Sequence, residues 1–358
     1  MYQQEPNKDE EIDEVFYEQL ADVVQSPALL LMGEFNSTYI CWKYNTALRK
    51  QSRRFLECVE DSFLTQVASG GTGFVGRALT HLLQSHGHEV THVSRQGGKN
   101  RIIWEELSRL GLPQCDAVVN LAGENVLNPF RRWGDAFCKE VISSRVETTR
   151  TLAKAIADAD QPPNAWVVVT GVGYYRPSPT AEYTEDSPGG NFDFFSRLVS
   201  SWEAAAVIPD GPTRGVLVRS GVVLGRGGGA ISQMLWPFWL GLGGPIGSGH
   251  QPFPWIHIQD LSGIICHALE NECLQGVFNG VSPSSPETSN STFTQEFAAA
   301  LGRPALLPVP AWAVRAVFGV ERAVMLLEGQ KVVPKRTLES GYHFIFPDLS
   351  AALKDIVA

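Results

Sequence analysis

Short apolar runs alternate with amphipathic stretches over most of the chain. The apolar runs predict strands at 64–69, 88–94, 117–121, 166–170, 215–220 and 276–280. The amphipathic stretches predict helices at 75–86, 135–159, 192–206, 260–270, 292–301 and 312–318. Alternating strands and helices indicate βαβ units, and continuously apolar strands indicate a sheet that is covered on both faces. The pattern therefore predicts an α/β fold with a doubly wound parallel sheet.

Glycine and proline become frequent beyond residue 226, notably at 227–229 and 241–245. Such a composition is typical of loops that close over a site rather than of further sheet. The stretch 227–245 is therefore predicted to be mainly loop.

Composition and charge narrow the class of protein. The 358 residues allow about two domains, and 44% hydrophobic against 19% charged residues excludes disorder throughout. The net charge of −9 disfavours nucleic acid or an anionic membrane as the main partner. The most apolar window, 231–247, contains Pro237 and Pro245 among several glycines, which argues against a membrane-spanning helix.

The six cysteines form no C-x-x-C pair, so neither a metal site nor a disulfide framework is predicted. This cysteine usage fits a reducing, intracellular location. The cytoplasm is favoured, with the nucleus and the mitochondrion left open. The acidic start of the chain also lacks the basic and apolar segments of a secretory signal.

The strongest local signal is a glycine-rich turn between a predicted strand and a predicted helix. Its glycines have the spacing G-x-x-G-x-x-G, which allows a tight bend, close approach of the backbone to a pyrophosphate, and close packing of helix on strand. A phosphate then lies at the helix N-terminus. A glycine motif alone often marks only a turn. Its position here predicts a Rossmann-like dinucleotide site made by Gly70, Gly71, Thr72, Gly73, Phe74, Val75 and Gly76.

The second predicted strand ends at Ser94 and Arg95, where dinucleotide sites distinguish their cofactors. A carboxylate at this place accepts hydrogen bonds from the ribose of NAD, whereas an arginine pairs with the 2′-phosphate of NADP. Arg95 therefore predicts NADP as the cofactor. The alternative is that Arg95 is a solvated loop residue.

Ordered blocks of sequence carry a family resemblance, and they lie at 70–76, 120–125, 131–133, 144–145, 170–175, 202–205, 219–225 and 254–261. With these blocks, residues 67–358 resemble the short-chain dehydrogenase/reductase superfamily, in the atypical epimerase branch labelled 39U. The resemblance implies cofactor contacts at Leu121, Ala122, Gly123, Glu140, Arg145 and Val223. Without the resemblance, Glu140 and Arg145 would be interpreted as a solvated pair on a helix.

The same resemblance raises the question of catalysis. Dehydrogenases and epimerases of the superfamily carry Tyr-x-x-x-Lys, in which the tyrosine exchanges a proton while the nicotinamide exchanges a hydride. The aligned residues here are Phe195 and Val199, which cannot transfer a proton. Thr170 and Tyr174, just after a predicted strand, are the candidate substitutes, with Tyr175 adjacent. An aromatic floor under the nicotinamide accounts equally well for the two tyrosines.

His257 and Asp260 lie three residues apart near a predicted helix start and could form an acid–base pair. A structural interpretation is preferred. In it, the Asp260 carboxylate caps the helix predicted over 261–270, and His257 packs at a strand edge.

Residues 1–66 resemble a different kind of protein, a fragment of the endonuclease encoded by non-LTR retrotransposons. Glu34 stands where the endonuclease has an aspartate of its metal-assisted site. About 66 residues cannot supply a comparable core, so no nuclease activity is expected. The join also places Gln66 in the first strand, where a buried amide without partners costs on the order of 1–3 kcal/mol.

The predicted function is that of an NADP-dependent oxidoreductase or epimerase acting on an unidentified small molecule. The alternative is a non-catalytic NADP-binding regulator or sensor, and a nucleic-acid-binding protein is the least favoured class. The predicted organisation is an extension over 1–66, an NADP-binding Rossmann-like domain over 67–225 and a smaller, partly interleaved substrate-binding region over 226–358.

Overall fold

The structure is a computed structural model that describes residues 67–358 except 70, 72, 96, 99–100, 129–130, 210 and 284–287. For residues 40–41, 46–47 and 67–69 it describes the backbone alone. Gln66 and almost all of the endonuclease-like segment therefore lie outside the described residues, and the interpretation of that segment stays a prediction.

The strands, in chain order, are β1 (Ile40–Cys41), β2 (Thr46–Ala47), β3 (Val67–Ser69), β4 (Thr91–Ser94), β5 (Arg101–Ile103), β6 (Ala117–Asn120), β7 (Ala165–Gly171), β8 (Glu182–Tyr183), β9 (Arg214–Ser220), β10 (Val222–Leu224), β11 (Trp255–His257), β12 (Gly276–Gly280) and β13 (Lys331–Val332). The α-helices of the described residues are α1 (Phe74–Ser85), α2 (Trp104–Leu110), α3 (Asp135–Ala157), α4 (Phe194–Ala205), α5 (Gly229–Trp239), α6 (Ile258–Glu270), α7 (Asn290–Ala300), α8 (Ala311–Leu327), α9 (Lys335–Glu339) and α10 (Leu349–Val357).

Among the described residues, seven strands form one parallel sheet in the order β12-β9-β7-β6-β3-β4-β5. The chain builds outward from β3 through β4 to β5, then returns to β6 and builds outward in the other direction. The strand order therefore reverses between β3 and β6. In open α/β sheets, ligands bind in the crevice beyond the carboxyl ends of the strands at such a reversal. The predicted doubly wound, Rossmann-like sheet is confirmed.

Each face of this sheet is covered by its own helices, as the unbroken apolar strands require. Val118 and Val168 face one side, where they pack with buried residues of α3 and α4. Val119, which follows Val118, and Val167, which precedes Val168, face the other side of the sheet and pack with α1 and α6. These four valines are at most 3% exposed. The two layers fix the positions of the loops at the carboxyl ends of the strands.

A third core lies beyond the main sheet. β10 and β11 pair in parallel, with Val222 opposite Trp255 and Leu224 opposite His257. Leu224 and Trp255 are buried with apolar side chains of α5, α7 and α10. β12, which also follows residue 225, returns to the main sheet as its edge strand. The domain division at residue 225 stays a prediction.

Several of the described elements differ from the sequence-based prediction. The short strand β5 and helix α2 were not predicted. Residues 229–239 form α5 although loop was predicted there, because Ile231 and Phe238 bury an apolar face in the third core. The helix predicted at 312–318 extends to Leu327 but is broken at Gly319, whose φ of 79° lies outside the helical range. None of the described helices is both long and apolar enough to span a membrane.

Candidate functional site

The carboxyl ends of β3, β4 and β6 meet at the reversal of the strand order. Ser69 pairs with Val93 on one side and with Asn120 on the other. The glycine-rich turn after β3, Ser94 and Arg95 after β4, and the loop after β6 therefore lie at one edge of the sheet. These are the segments that the sequence predicted to bind a dinucleotide, and the fold brings them together.

The described part of the glycine-rich turn leads directly into α1. Gly73 is the N-cap residue, and no side-chain hydrogen bond caps α1 in the part of the chain that the structure describes. Because the first N–H groups of a helix have no intrahelical partner, they can donate hydrogen bonds to a phosphate. Gly70 and Thr72 lie outside the described residues.

Gly71 makes a close approach that only glycine permits. A Cβ atom at this position would lie 2.1 Å from Cδ2 of His92, a residue of β4. The imidazole Nε2 of His92 is 3.0 Å from the Thr80 hydroxyl on α1, and burial, with the charge of Arg101, lowers the pKa of His92. His92 thus joins the turn, α1 and β4 as a neutral packing residue.

Phe74 lies against a cradle of glycines that follows β10. Cβ atoms added at Gly225, Gly228 and Gly229 would lie 2.8, 2.2 and 2.9 Å from its ring. The carbonyl oxygen of Val223 would be 2.8 Å from the added atom at Gly229. Phe74 and Val223, two predicted cofactor contacts from distant parts of the chain, therefore belong to one patch.

A cavity of about 570 Å³ opens beside this patch, between the starts of α1 and α6. Its lining includes Arg77 and Arg226, and also His257 and Asp355. The two arginines and the uncapped helix N-terminus favour an anionic ligand, and the negative charge of Asp355 partly offsets them. Sequence reasoning did not single out Arg77 or Arg226, although both stand close to the glycine motifs.

The loop after β6 is held by buried hydrogen bonds. Asn120, which is fully buried, accepts from the N–H of Ala122 at 3.0 Å and donates to the Thr149 hydroxyl at 2.8 Å. The N–H of Glu124 donates to the Ser144 hydroxyl at 3.0 Å. The predicted contacts Leu121, Ala122 and Gly123 thus lie on a backbone of fixed shape.

Arg145 completes the support of this loop. Its Nη2 donates to the carbonyl oxygen of Glu124 at 2.8 Å, and its Nη1 donates to that of Val141 at 3.3 Å. Burial lowers the pKa of Arg145 to about 10. A Cβ at Gly123 would lie 3.0 Å from its Cζ. Arg145 therefore positions the loop through its carbonyl groups, and its predicted contact with the cofactor stays a prediction.

Glu140 and Arg95 lie at the surface. Glu140 forms an ion pair with Arg131, and both side chains are about 43% exposed. Its partner is thus not Arg145, so the solvated pair considered in the sequence is not formed. Arg95 is exposed directly after β4, next to the half-buried Ser94. Their predicted contacts with the cofactor stay predictions.

A buried ion pair lies behind the predicted catalytic residues. Arg219 on β9 donates to both carboxylate oxygens of Glu203 on α4, from Nε at 2.8 Å and from Nη2 at 2.7 Å. The Thr170 hydroxyl donates to the same carboxylate at 3.1 Å. Sequence reasoning missed this pair as a functional unit, although a charged residue inside an apolar strand is a signal that a partner must be found.

The two adjacent tyrosines have different environments. The hydroxyl of Tyr175, a fully buried residue, donates to Asn279 at 2.8 Å and accepts from Nη1 of Arg219 at 3.0 Å. Burial raises the pKa of Tyr175. Tyr174 is only half-buried, and the Arg219 guanidinium lies 3.4 Å from the centre of its ring. Tyr175 is thus a structural residue, while Tyr174 is held in place by the contact of its ring with the Arg219 guanidinium.

The two positions that correspond to the tyrosine and lysine of Tyr-x-x-x-Lys are apolar here. Phe195 and Val199 on α4 are 7% and 6% exposed. A Cβ at Gly173 would lie 3.5 Å from Cβ of Phe195 and 4.0 Å from a methyl group of Val199. The two positions therefore face the segment that carries Tyr174 but offer it only packing.

The interpretation of Asp260 as a helix cap is wrong. α6 begins at Ile258, and its cap is His257, whose Nδ1 accepts from the N–H of Gln259 at 3.3 Å. The Asp260 carboxylate instead accepts from the N–H groups of Ile345 and Phe346 at 2.7 and 2.9 Å. The helix starts one turn earlier than predicted, so Asp260 lies within it and fixes the segment before α10.

Comparison with known proteins agrees with this geometry. Residues 67–279 match the NAD dependent epimerase/dehydratase family, and residues 309–356 match a domain of unknown function, DUF1731. The chain is 66% identical over 292 residues to the human Epimerase family protein SDR39U1, covering 82% of this chain and 99% of that protein. It is 35% identical over 323 residues to a chloroplastic homologue from Arabidopsis thaliana, covering 86% and 91% respectively.

Two solved structures extend the comparison. The human SDR39U1 protein, isoform 2, crystallised with NADPH, matches with a TM-score of 0.80 and 66% identity over 81% of this chain and 98% of that chain. A nucleoside-diphosphate sugar epimerase from Corynebacterium glutamicum matches with a TM-score of 0.66 and 28% identity over 86% of this chain and 63% of that chain. The resemblance predicted for residues 67–358 is confirmed, and the chain belongs to the NAD dependent epimerase/dehydratase family.

Proposed function

We propose that this chain binds NADP at the reversal of the strand order and acts as an NADP-dependent oxidoreductase or epimerase on a small molecule. The observation that carries the proposal is the uncapped glycine-rich turn beside Arg95, at one edge of the sheet. The NADPH in the crystal structure of the human relative supports the choice of cofactor. When bound, the nicotinamide supplies hydride exchange.

The described residues fit a phosphorylated dinucleotide. The start of α1 offers N–H groups to the pyrophosphate, and Arg77 and Arg226 add positive charge. Arg95 would pair with the 2′-phosphate. The proposed contacts are Gly70, Gly71, Thr72, Gly73, Phe74, Val75, Gly76, Ser94, Arg95, Leu121, Ala122, Gly123, Glu140, Arg145 and Val223.

For proton transfer, Tyr174 is the proposed group. It follows β7 on the segment that α4 faces, and its ring is fixed over Arg219. Thr170 is the second candidate, but its hydroxyl already donates to Glu203. A general acid or base must reach the substrate within hydrogen-bond distance, and the partly exposed Tyr174 meets this requirement better.

A non-catalytic NADP-binding sensor is the second proposed function. It is favoured by one observation, the buried Phe195 and Val199 at the positions of the usual tyrosine and lysine. Both proposed functions use the same cofactor site, but only the oxidoreductase or epimerase converts a substrate.

The experiment that tests the cofactor site is calorimetric titration of NADPH and NADH into the full chain and into an Arg95→Ala variant. Loss of a charge-assisted hydrogen bond of about 1.5–3 kcal/mol should weaken NADPH roughly 10- to 100-fold, with little change for NADH. Arg109→Ala, which removes an exposed arginine of α2, is the matched control. Equal losses for both cofactors would contradict the role of Arg95, and no binding of either would overturn the proposal.

A further inference from the structure

Three side chains that can bind a metal ion, His86, Cys266 and Glu270, meet where α1 and α6 end, and a fourth, His88, contacts Glu270. His86 and His88 follow α1, while Cys266 and Glu270 lie one turn apart on α6. Nδ1 of His86 is 2.8 Å from Oε1 of Glu270 and 3.6 Å from Sγ of Cys266. Nε2 of His88 is 3.1 Å from the same carboxylate oxygen. The donor atoms of His86, Cys266 and Glu270 all lie within 4.8 Å of one another.

The backbone holds the two histidines in place. Gly87, between them, has a φ of 82°, and its N–H donates to the carbonyl oxygen of Gln84 at 3.0 Å. The N–H of His88 donates to the carbonyl oxygen of Leu83 at 3.0 Å. These two bonds form a Schellman motif, which ends a helix in a fixed geometry. Both imidazoles therefore project from a defined turn rather than from a free loop.

The electrostatic environment favours a cation. α1 and α6 both end at this place, and each helix C-terminus carries a partial negative charge. Glu270 is the last residue of α6, where a carboxylate is unfavourable unless a positive group offsets it. The buried Cys266 thiol lies beside it, and burial together with Glu270 raises the pKa of Cys266 to about 12. A bound metal ion would favour the thiolate instead.

We propose that His86, His88, Cys266 and Glu270 form a zinc site that ties the end of α1 to the end of α6. One sulfur, two imidazole nitrogens and a carboxylate oxygen are donors that zinc binds at about 2.0–2.3 Å. In a tetrahedron of that size, donor atoms are roughly 3.5 Å apart, a value that the observed separations bracket. Binding releases the thiol proton as the sulfur–zinc bond forms.

No metal was predicted from the sequence because closely spaced cysteines, a common signal of a zinc site, are absent. Here the donors come as a His-Gly-His turn and a Cys-x-x-x-Glu helix turn, far apart in the chain. Without zinc, the same side chains are joined by the hydrogen bonds of His86 and His88 with Glu270 and by the contact of Cys266 with His86. A zinc site binds Zn²⁺ and a cluster joined by hydrogen bonds alone does not, so titration with Zn²⁺ distinguishes them.

The first test is calorimetric titration of Zn²⁺ into the full chain after removal of metal with a chelator. One ion should bind per chain. Cys266→Ser and His86→Gln should each weaken binding by at least about 100-fold, since even groups that only support a metal ligand are worth roughly 10–100-fold. Cys273→Ser and His81→Gln, which change exposed residues outside the cluster, are matched controls and should bind as the unmodified chain does.

The second test uses Co²⁺, whose absorption reports a bound thiolate. The sulfur-to-cobalt band should appear in the unmodified chain and in Cys273→Ser and be absent in Cys266→Ser. This readout needs no change in stability, and circular dichroism of each variant checks that it folds. Absence of stoichiometric binding by the unmodified chain would overturn the proposal. Binding that is unchanged in both Cys266→Ser and His86→Gln would overturn it as well.

Discussion

Arg219 and Glu203 form a two-pronged hydrogen-bonded ion pair, with N–O distances of 2.8 and 2.7 Å, beneath the ring of Tyr174. The Arg219 side chain is 4% exposed and that of Glu203 is 10% exposed. Because Arg219 also donates to Tyr175, and Thr170 donates to Glu203, the pair links β7, β9 and α4. The position of Tyr174 therefore depends on the Arg219 guanidinium, a buried charge that requires the Glu203 carboxylate as its partner.

Removing one member of this pair should strongly destabilise the fold. In Glu203→Ala, the Arg219 guanidinium stays buried without its counter-ion, and breaking such a pair costs about 3–5 kcal/mol. Urea unfolding measures the free energy. The control is Asp158→Ala, which breaks an exposed pair with Lys154 and should leave stability unchanged. A loss below about 1 kcal/mol in Glu203→Ala would show that water or another group reaches Arg219.

Tyr174→Phe and Tyr175→Phe should have opposite effects on activity and stability. Loss of the proposed proton donor in Tyr174→Phe should lower NADPH turnover about 10²- to 10⁴-fold, with unchanged folding and NADPH binding. Tyr175→Phe removes the buried hydroxyl that bonds Oδ1 of Asn279 and Nη1 of Arg219 and should cost about 1–3 kcal/mol of stability. Turnover is measured from NADPH absorbance with a panel of small carbonyl compounds. Full turnover in Tyr174→Phe would assign proton transfer elsewhere.

The stability of the chain should fall as the pH decreases from about 7 to 5. Burial lowers the pKa of His257 below its ordinary value of 6.5, despite the nearby Asp355 and Asp260. The unfolded chain therefore takes up a proton that the folded chain does not. The stabilisation from the neutral His257 is complete above 6.5 and is lost between 6.5 and the lower folded pKa.

The measurement for this pH effect compares urea unfolding of the unmodified chain with that of His257→Asn. Asparagine keeps a capping oxygen but does not titrate. The difference in slope should be at most about 1.4 kcal/mol per pH unit. His92, whose pKa burial also lowers, contributes equally to both proteins. Identical slopes would contradict the assignment to His257.

Gly228→Ala should weaken NADPH binding through Phe74. The added methyl group would lie 2.2 Å from the Phe74 ring, so the ring, on the first residue of α1, must leave its position against the glycines. We expect an increase in Kd of about 10-fold or more, because a displacement of about 1 Å disturbs a preorganised site strongly. Gly215→Ala, which meets no atom within 4 Å, is the control. Equal affinities would show that Phe74 is not part of the cofactor site.

The central sheet could be predicted from sequence because its strands are apolar on both faces. Val118, Val119, Val167 and Val168 are all buried, which leaves few alternatives to a covered parallel strand. β5 was missed because it has only three residues, all half-buried. The helix α5 was not predicted because the glycines on both sides of it indicated loop. Its two buried apolar residues, Ile231 and Phe238, pack with residues of α7 and α10.

The candidate site likewise has one part that could be predicted from the sequence and one part that could not. The glycine-rich turn and Arg95 are local features, so their position after β3 and β4 could be predicted. The bonds from Asn120 to Thr149, from Arg145 to Glu124 and from Arg219 to Glu203 join separate elements. Such pairs follow from the three-dimensional arrangement, and one sequence does not contain them.

The parallel pairing of β10 with β11 bears on how this scaffold can be modified. Val222 lies opposite Trp255 and Leu224 opposite His257, so the intervening chain leaves and rejoins the scaffold at neighbouring points. A segment with adjacent ends can be exchanged between relatives without moving the strands outside it. The side chains that face α7 and α10, such as Phe238, must then be matched in volume. Residues 225–229 pack against Phe74 and line the cavity beside it, so a segment grafted to change the specificity must begin after them.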